Sequence, residues 1–145
     1  MPPNKATLAK DPQPASEPLF TLERANRSLV LVRKIVTAIV NRYRELAELR
    51  SQRDLLRQTS TTPDKLEQLG DQIAETVRAL DALHRELLEV GCVLKDWRTG
   101  LVDFPALREG QRIWLCWRLG EESVSHWHGL HEGFSGRQPI DASAN

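Results

Sequence analysis

The residues best suited to chemistry gather in the last third of the chain. His126-Trp127-His128 places two imidazoles two residues apart, which on a strand puts both on one face, and His131 and Glu132 follow. A zinc ion takes three or four N, O or S ligands at about 2.0–2.3 Å, and Cys116, Asp103 and Asp96 are the residues that can complete a set with His128. The spacing matches no established ligand pattern. The plainer alternative, which the residues favour, has His128 hydrogen-bonded to a carboxylate and His126 facing solvent. No cofactor is therefore expected, with a divalent metal such as zinc as the alternative. Cys116 and His128 can also be read as nucleophile and base, with Asp103 orienting the imidazole and Arg118 lowering the thiol pKa. Against that stands a Cys116 packed as a small buried hydrophobe, the usual fate of a free cysteine.

Arg112, Arg118 and Arg137 form a candidate bidentate clamp for an anion, although a structural pairing of Arg118 with Asp96 or Asp103 is the preferred reading. The candidate binding residues are thus Asp96, Asp103, Cys116, Arg118, His128 and Arg137, and the metal candidates are His128, Asp103 and Cys116. Neither Gly-x-x-x-x-Gly-Lys nor Gly-x-Gly-x-x-Gly occurs, which argues against a nucleotide enzyme of standard type.

These residues must be positioned by a short β segment. Residues 91–138 hold all four tryptophans, which are expected as core anchors. Strand-like runs there alternate with turns: Cys92–Asp96, Leu101–Phe104 stopped by Pro105, Arg112–Leu119 stopped by Gly120, and Ser123–Trp127. A short helical turn is predicted near Pro105–Arg108. In the third run Ile113, Leu115, Trp117 and Leu119 point to one face, suited to a core, and Arg112, Trp114, Cys116 and Arg118 to the other.

Two long helices precede this meander. Thr21 is a good N-cap, and Leu22, Ala25, Leu29, Val32, Val36, Ile39, Tyr43 and Leu46 recur with the alternating three–four spacing of a heptad seam, after which Leu49 and Leu56 take over. A helix over 22–58 would span about 55 Å. The run Thr59–Asp64 breaks it; Thr62 caps and Pro63 starts a second helix to about Val90, with the stripe Leu66, Leu69, Ile73, Val77, Leu80, Leu83, Leu87, Val90 and a stop at Gly91. So short a connection predicts antiparallel neighbours. Residues 22–58 carry nine basic against four acidic side chains, and residues 63–90 three against seven, so flanking ion pairs between the helices are expected. That acidic neighbour, and the lack of interleaved aromatics, argue against Arg42, Arg44, Arg50, Arg53 and Arg57 gripping nucleic acid. The apolar face at Leu29, Val30, Leu31, Val32, Ile35 and Val36 is wider than one helix covers; the C-terminal segment or a second copy of the chain must pack there.

The fold class expected is α+β, mostly α: a long antiparallel helical hairpin (21–90) with a small C-terminal antiparallel β-meander (91–138), as a single domain over 20–140. Residues 1–19, with five prolines, read as a disordered tail, and 141–145 as another. Twenty basic and twenty acidic residues cancel, so no net charge draws the chain to nucleic acid or membrane. No apolar run of about 18 residues or more is present, no signal-peptide core is evident, and two cysteines are too few for a disulfide scaffold. A cytoplasmic protein with free thiols is expected.

Several blocks carry a family resemblance: Phe20–Asn26, Gly91–Asp96, Thr99–Ala106, Leu115–Glu121, Trp127-His128 and Gly133–Pro139. Over roughly residues 20–140 the chain resembles a bacterial domain-of-unknown-function family, number twenty-two-oh-three. The resemblance implies no activity, because the family has none assigned. The chain departs from the family pattern at Leu31, where proline is common, and at His126, where an aromatic is common, and the second departure argues against His126 as an essential ligand. The function expected is a non-catalytic, homodimeric interaction module presenting the meander to a protein or small ligand; the alternative is a metal-binding protein or metal- or thiol-dependent enzyme with a site in residues 96–128.

Overall fold

The computed structural model describes residues 19–59 and 62–140; the expected tails at 1–19, apart from Leu19, and at 141–145 lie outside the described residues. Helix α1 (Leu22–Gln58) begins at the Thr21 cap, whose hydroxyl accepts from the Arg24 N–H at 3.0 Å. Helix α2 (Pro63–Val90) opens on Pro63 behind the Thr62 cap and ends at Gly91, in the left-handed conformation at φ 111°. The strands β1 (Val93–Asp96), β2 (Leu101–Arg108), β3 (Gln111–Arg118), β4 (His126–Gly129) and β5 (Gln138–Pro139) form one antiparallel sheet in sequence order. The architecture is α+β and mostly α, a helical hairpin followed by a meander. No helix among the described residues is long and apolar enough to cross a membrane.

Helix α1 packs on two sides, and this explains its broad apolar face. Ala25, Leu29, Val32 and Ile39 are buried, as the seam predicts, and so are Ile35 and Val40 outside it. Packing of the sheet onto this part of the helix accounts for the extra burial. The turn Trp97–Gly100 sits so close that a Cβ at Gly100 would lie 2.8 Å from Val36 Cγ1. Val30 and Leu31 stay exposed. On α2 the predicted Val77 is exposed and Thr76 is buried instead. The seam is Leu69, Ile73, Thr76, Leu80, Leu83, Leu87, whose four–three alternation passes through residue 76. The expected ion pairs between helices are absent among the described residues. The two helical pairs, Arg42–Glu45 in α1 and Asp81–Arg85 in α2, each lie within a single helix, so the opposite net charges act only as a long-range field.

The meander differs from the sequence reading at three places. Strand β2 runs through Pro105 to Arg108 rather than turning helical. Proline is tolerated because the Pro105 carbonyl accepts from Phe20 N–H at 2.7 Å, away from β3, so the missing N–H lies on that same edge and not in the β3 ladder. The β2–β3 hairpin turns at Glu109-Gly110, both with positive φ, the twist that two-residue hairpins favour. Strand β4 starts at His126, not Ser123, because the preceding residues are held by α1. The Asn26 side chain accepts from Val124 N–H at 2.7 Å and donates to its carbonyl at 3.2 Å, as a neighbouring strand would. Arg33 donates to the Glu122 carbonyl at 3.0 Å and lies over the Trp117 ring. Short β5 and the helical turn Phe134–Gly136 escaped the sequence reading.

Candidate functional site

Register brings the polar candidates together. Asp103 of β2 is opposite Cys116 of β3, and His128 of β4 is opposite Trp114. Side chains two apart on a strand share a face, so Asp103, Cys116 and His128 all stand on the side turned away from the helices. They come from three adjacent strands, one potential ligand atom of each within 4.8 Å of the others. All three are buried, at 2 %, 0 % and 3 % exposure.

A solvent-side face buries polar groups only if something covers it. The chain from Gly129 to Arg137 folds back over β3: the Phe134 ring lies between the guanidinium groups of Arg118, at 4.8 Å, and Arg137, at 4.6 Å. Arg137 grips Glu121 with two bonds of 2.7 and 2.9 Å and donates to the Cys116 carbonyl at 3.1 Å. Glu121 in turn accepts from the Arg118 N–H at 2.9 Å. Burial opposes the Glu121 charge, but the Arg137 fork and the Arg118 N–H outweigh it and hold the carboxyl below its ordinary pKa. Arg137, one of the anion-clamp candidates, is therefore engaged within the chain.

Inside the cluster, His128 Nδ1 lies 2.8 Å from the Gly129 carbonyl, which can only accept, so this nitrogen carries a proton. Nε2 lies 3.0 Å from Asp103 Oδ2. Burial alone would lower the imidazole pKa; the bonds to Asp103 and Gly129 overcome it and raise the pKa above the ordinary value. Both bonds thereby favour the protonated form of the imidazole. The other carboxylate oxygen, Asp103 Oδ1, is buried with no hydrogen-bond partner. Burial, and then the Asp103 charge, push the Cys116 thiol up to about 12. This removes the basis for a lowered thiol pKa: Arg118 is exposed and stacks on Phe134, and Cys116 is a protonated thiol at neutral pH rather than a nucleophile.

Two candidates stand apart. Asp96 shapes the β1–β2 turn, accepting from Arg98 N–H at 2.9 Å, and that bond lowers its pKa. Arg118 pairs with neither Asp96 nor Asp103 among the described residues. His126 contacts Ser125 Oγ at 3.1 Å and is only half-buried. Sequence reasoning missed Glu121, which anchors Arg137, and Asn26 and Arg33, which seat the sheet on α1. Glu121 had one visible signal, an acidic residue directly after the strand-ending Gly120.

Residues 18–140 match the model of a family described as an uncharacterized conserved protein, DUF2203. No curated protein and no solved structure matches.

Proposed function

Because the chain belongs to this uncharacterized conserved family, whose description names no reaction, we propose a function from the site alone: a non-catalytic metal-binding protein that holds a divalent ion of the zinc type through Asp103, Cys116 and His128. The observation that carries the reading is a buried carboxylate, thiol and imidazole brought within 4.8 Å of one another, with Asp103 Oδ1 in no well-formed hydrogen bond beside the Cys116 thiol. Native proteins rarely leave such a group unpaired, and a cation would satisfy it. A carboxylate, a thiolate and an imidazole are each good zinc ligands, and three protein ligands leave one position for water. The potential ligand atoms already lie within 4.8 Å of one another, so side-chain adjustment alone would bring them around an ion. Loading would release the thiol proton and the proton that His128 Nε2 holds toward Asp103. Burial of all three ligands supports a held ion rather than one open to turnover.

The test is elemental analysis and native mass spectrometry of the untagged full chain from zinc-replete culture, alongside Cys116→Ser and Asp103→Asn. One zinc per chain, lost in both variants, is expected; cobalt substitution should add a thiolate-to-metal band in the near ultraviolet. Metal-free wild-type protein that also takes up no added zinc or cobalt would sink the reading.

A second reading is favoured by Val30 and Leu31, which remain 69 % and 52 % exposed on α1. It makes the chain a homodimer that presents the meander to a partner in the reducing cytoplasm. Sedimentation at micromolar concentration tests it: a dimer that Leu31→Lys converts to monomer is expected, and a wild-type monomer rejects it.

A further inference from the structure

A second candidate site lies away from the metal cluster, where the β1–β2 turn meets α1. Arg44 and Arg50 of α1 and Arg98 of the turn line one cleft of about 400 Å³, with Val40, Leu46 and Ala47 forming apolar wall and Tyr43 adding a phenol. Among the described residues none of the three guanidinium groups has a carboxylate within 4.0 Å. Glu45 pairs with Arg42, and Asp96 accepts from the Arg98 and Thr99 N–H groups, while Glu48 and Asp54, four residues on from Arg44 and Arg50, form no ion pair with them. Three guanidinium-bearing side chains thus line one concavity, and none of them is ion-paired among the described residues.

We propose that this cleft binds an organic phosphate of mononucleotide size. Guanidinium forks match phosphate oxygens bidentately, and the apolar wall with Tyr43 suits the organic part of the ligand. The volume falls within the ordinary range for small-molecule sites, about 300–1,000 Å³. A long nucleic acid fits less well, since the neighbouring α2 carries seven acidic residues against three basic ones.

Isothermal titration of the full chain with AMP at low salt tests the proposal, with adenosine and inorganic phosphate as comparison ligands. Saturable AMP binding is expected, tighter than either comparison ligand. Arg44→Ala/Arg50→Ala should weaken it about tenfold or more, the loss of at least one charge-assisted pair. Both side chains are exposed, so this variant should keep the wild-type circular dichroism and metal content. Arg57→Ala, outside the cleft, should leave AMP binding unchanged. The proposal is overturned by absence of AMP binding at millimolar concentration, by binding that survives the double substitution, or by a chain that binds single-stranded RNA but not AMP.

Discussion

Val102, Phe104, Ala106, Ile113, Leu115 and Trp117 line the side of the sheet that meets α1, whereas the opposite side buries Asp103, Cys116 and His128 under the returning chain from Gly129 to Arg137. Both sides exclude water, but by different means. The helix-facing side does so by contact between apolar surfaces, which is non-directional and tolerant of small shifts. The covered side depends on directional bonds: the Asp103–His128 pair, the Arg137 fork on Glu121, and the guanidinium groups flanking Phe134. Packing gives stability without chemical consequence. A buried polar set must satisfy each of its members, and the acceptor it leaves unsatisfied, Asp103 Oδ1, is where a cation is expected.

The largest effect should come from the packed side. Trp117 is fully buried, and Trp117→Ala should cost about 4 kcal/mol in chemical denaturation, with no dependence on metal. Next comes the polar side: Asp103→Ala leaves His128 unpartnered and should cost about 3 kcal/mol, the low end for breaking a buried pair because the imidazole can shed its proton. If the loss is near zero, the two sides do not differ as described.

The junction between sheet and helix sharpens the comparison. Gly100 has φ +77°, and an added Cβ would meet Val36 at 2.8 Å and Leu119 at 2.9 Å; Gly110 has φ +78° but open space. Gly100→Ala should therefore cost about 2–3 kcal/mol and Gly110→Ala about 1 kcal/mol, as thermal unfolding would show. Equal losses would mean that the approach of the turn to α1 is not tight.

The smallest expected effect is the most selective. His128 has a raised pKa in the folded state, so its contribution is fully present below its ordinary value of 6.5 and is lost as pH rises through the folded value. In chelator, stability should fall on going from about pH 6 to pH 9, and His128→Asn should flatten that slope while Trp117→Ala retains it. Above pH 9.0 a separate loss should begin, because Cys92 and Cys116 are pushed up to about 12 and must ionise on unfolding. Invariance from pH 6 to 9 would show that the imidazole pKa is the same folded and unfolded, and a rise would show that the imidazole is neutral in the fold.

Much of the architecture was legible because it rests on local signals. Thr21, Thr62, Pro63 and Gly91 mark helix ends through the needs of unpaired backbone groups, and the alternation in β3 correctly assigns Trp117 inward and Cys116 outward. Legibility failed where a distant partner changed a local rule. Pro105 stays in a strand because its free edge meets Phe20, Ser123–Ser125 is kept out of one in part because Asn26 holds Val124, and Arg118 is drawn to Phe134 rather than to a carboxylate.

What the sequence by itself determined, then, is where the helices begin and end, that the chain closes in a meander, and which residue types are on hand for chemistry. Only the tertiary structure decided that Asp103, Cys116 and His128 converge while Asp96 and Arg118 do not, and that Arg44, Arg50 and Arg98 share a cleft. The reason is physical: caps and periodicity act over a few residues, whereas strand register and the seating of the sheet on α1 are set by contacts between segments tens of residues apart.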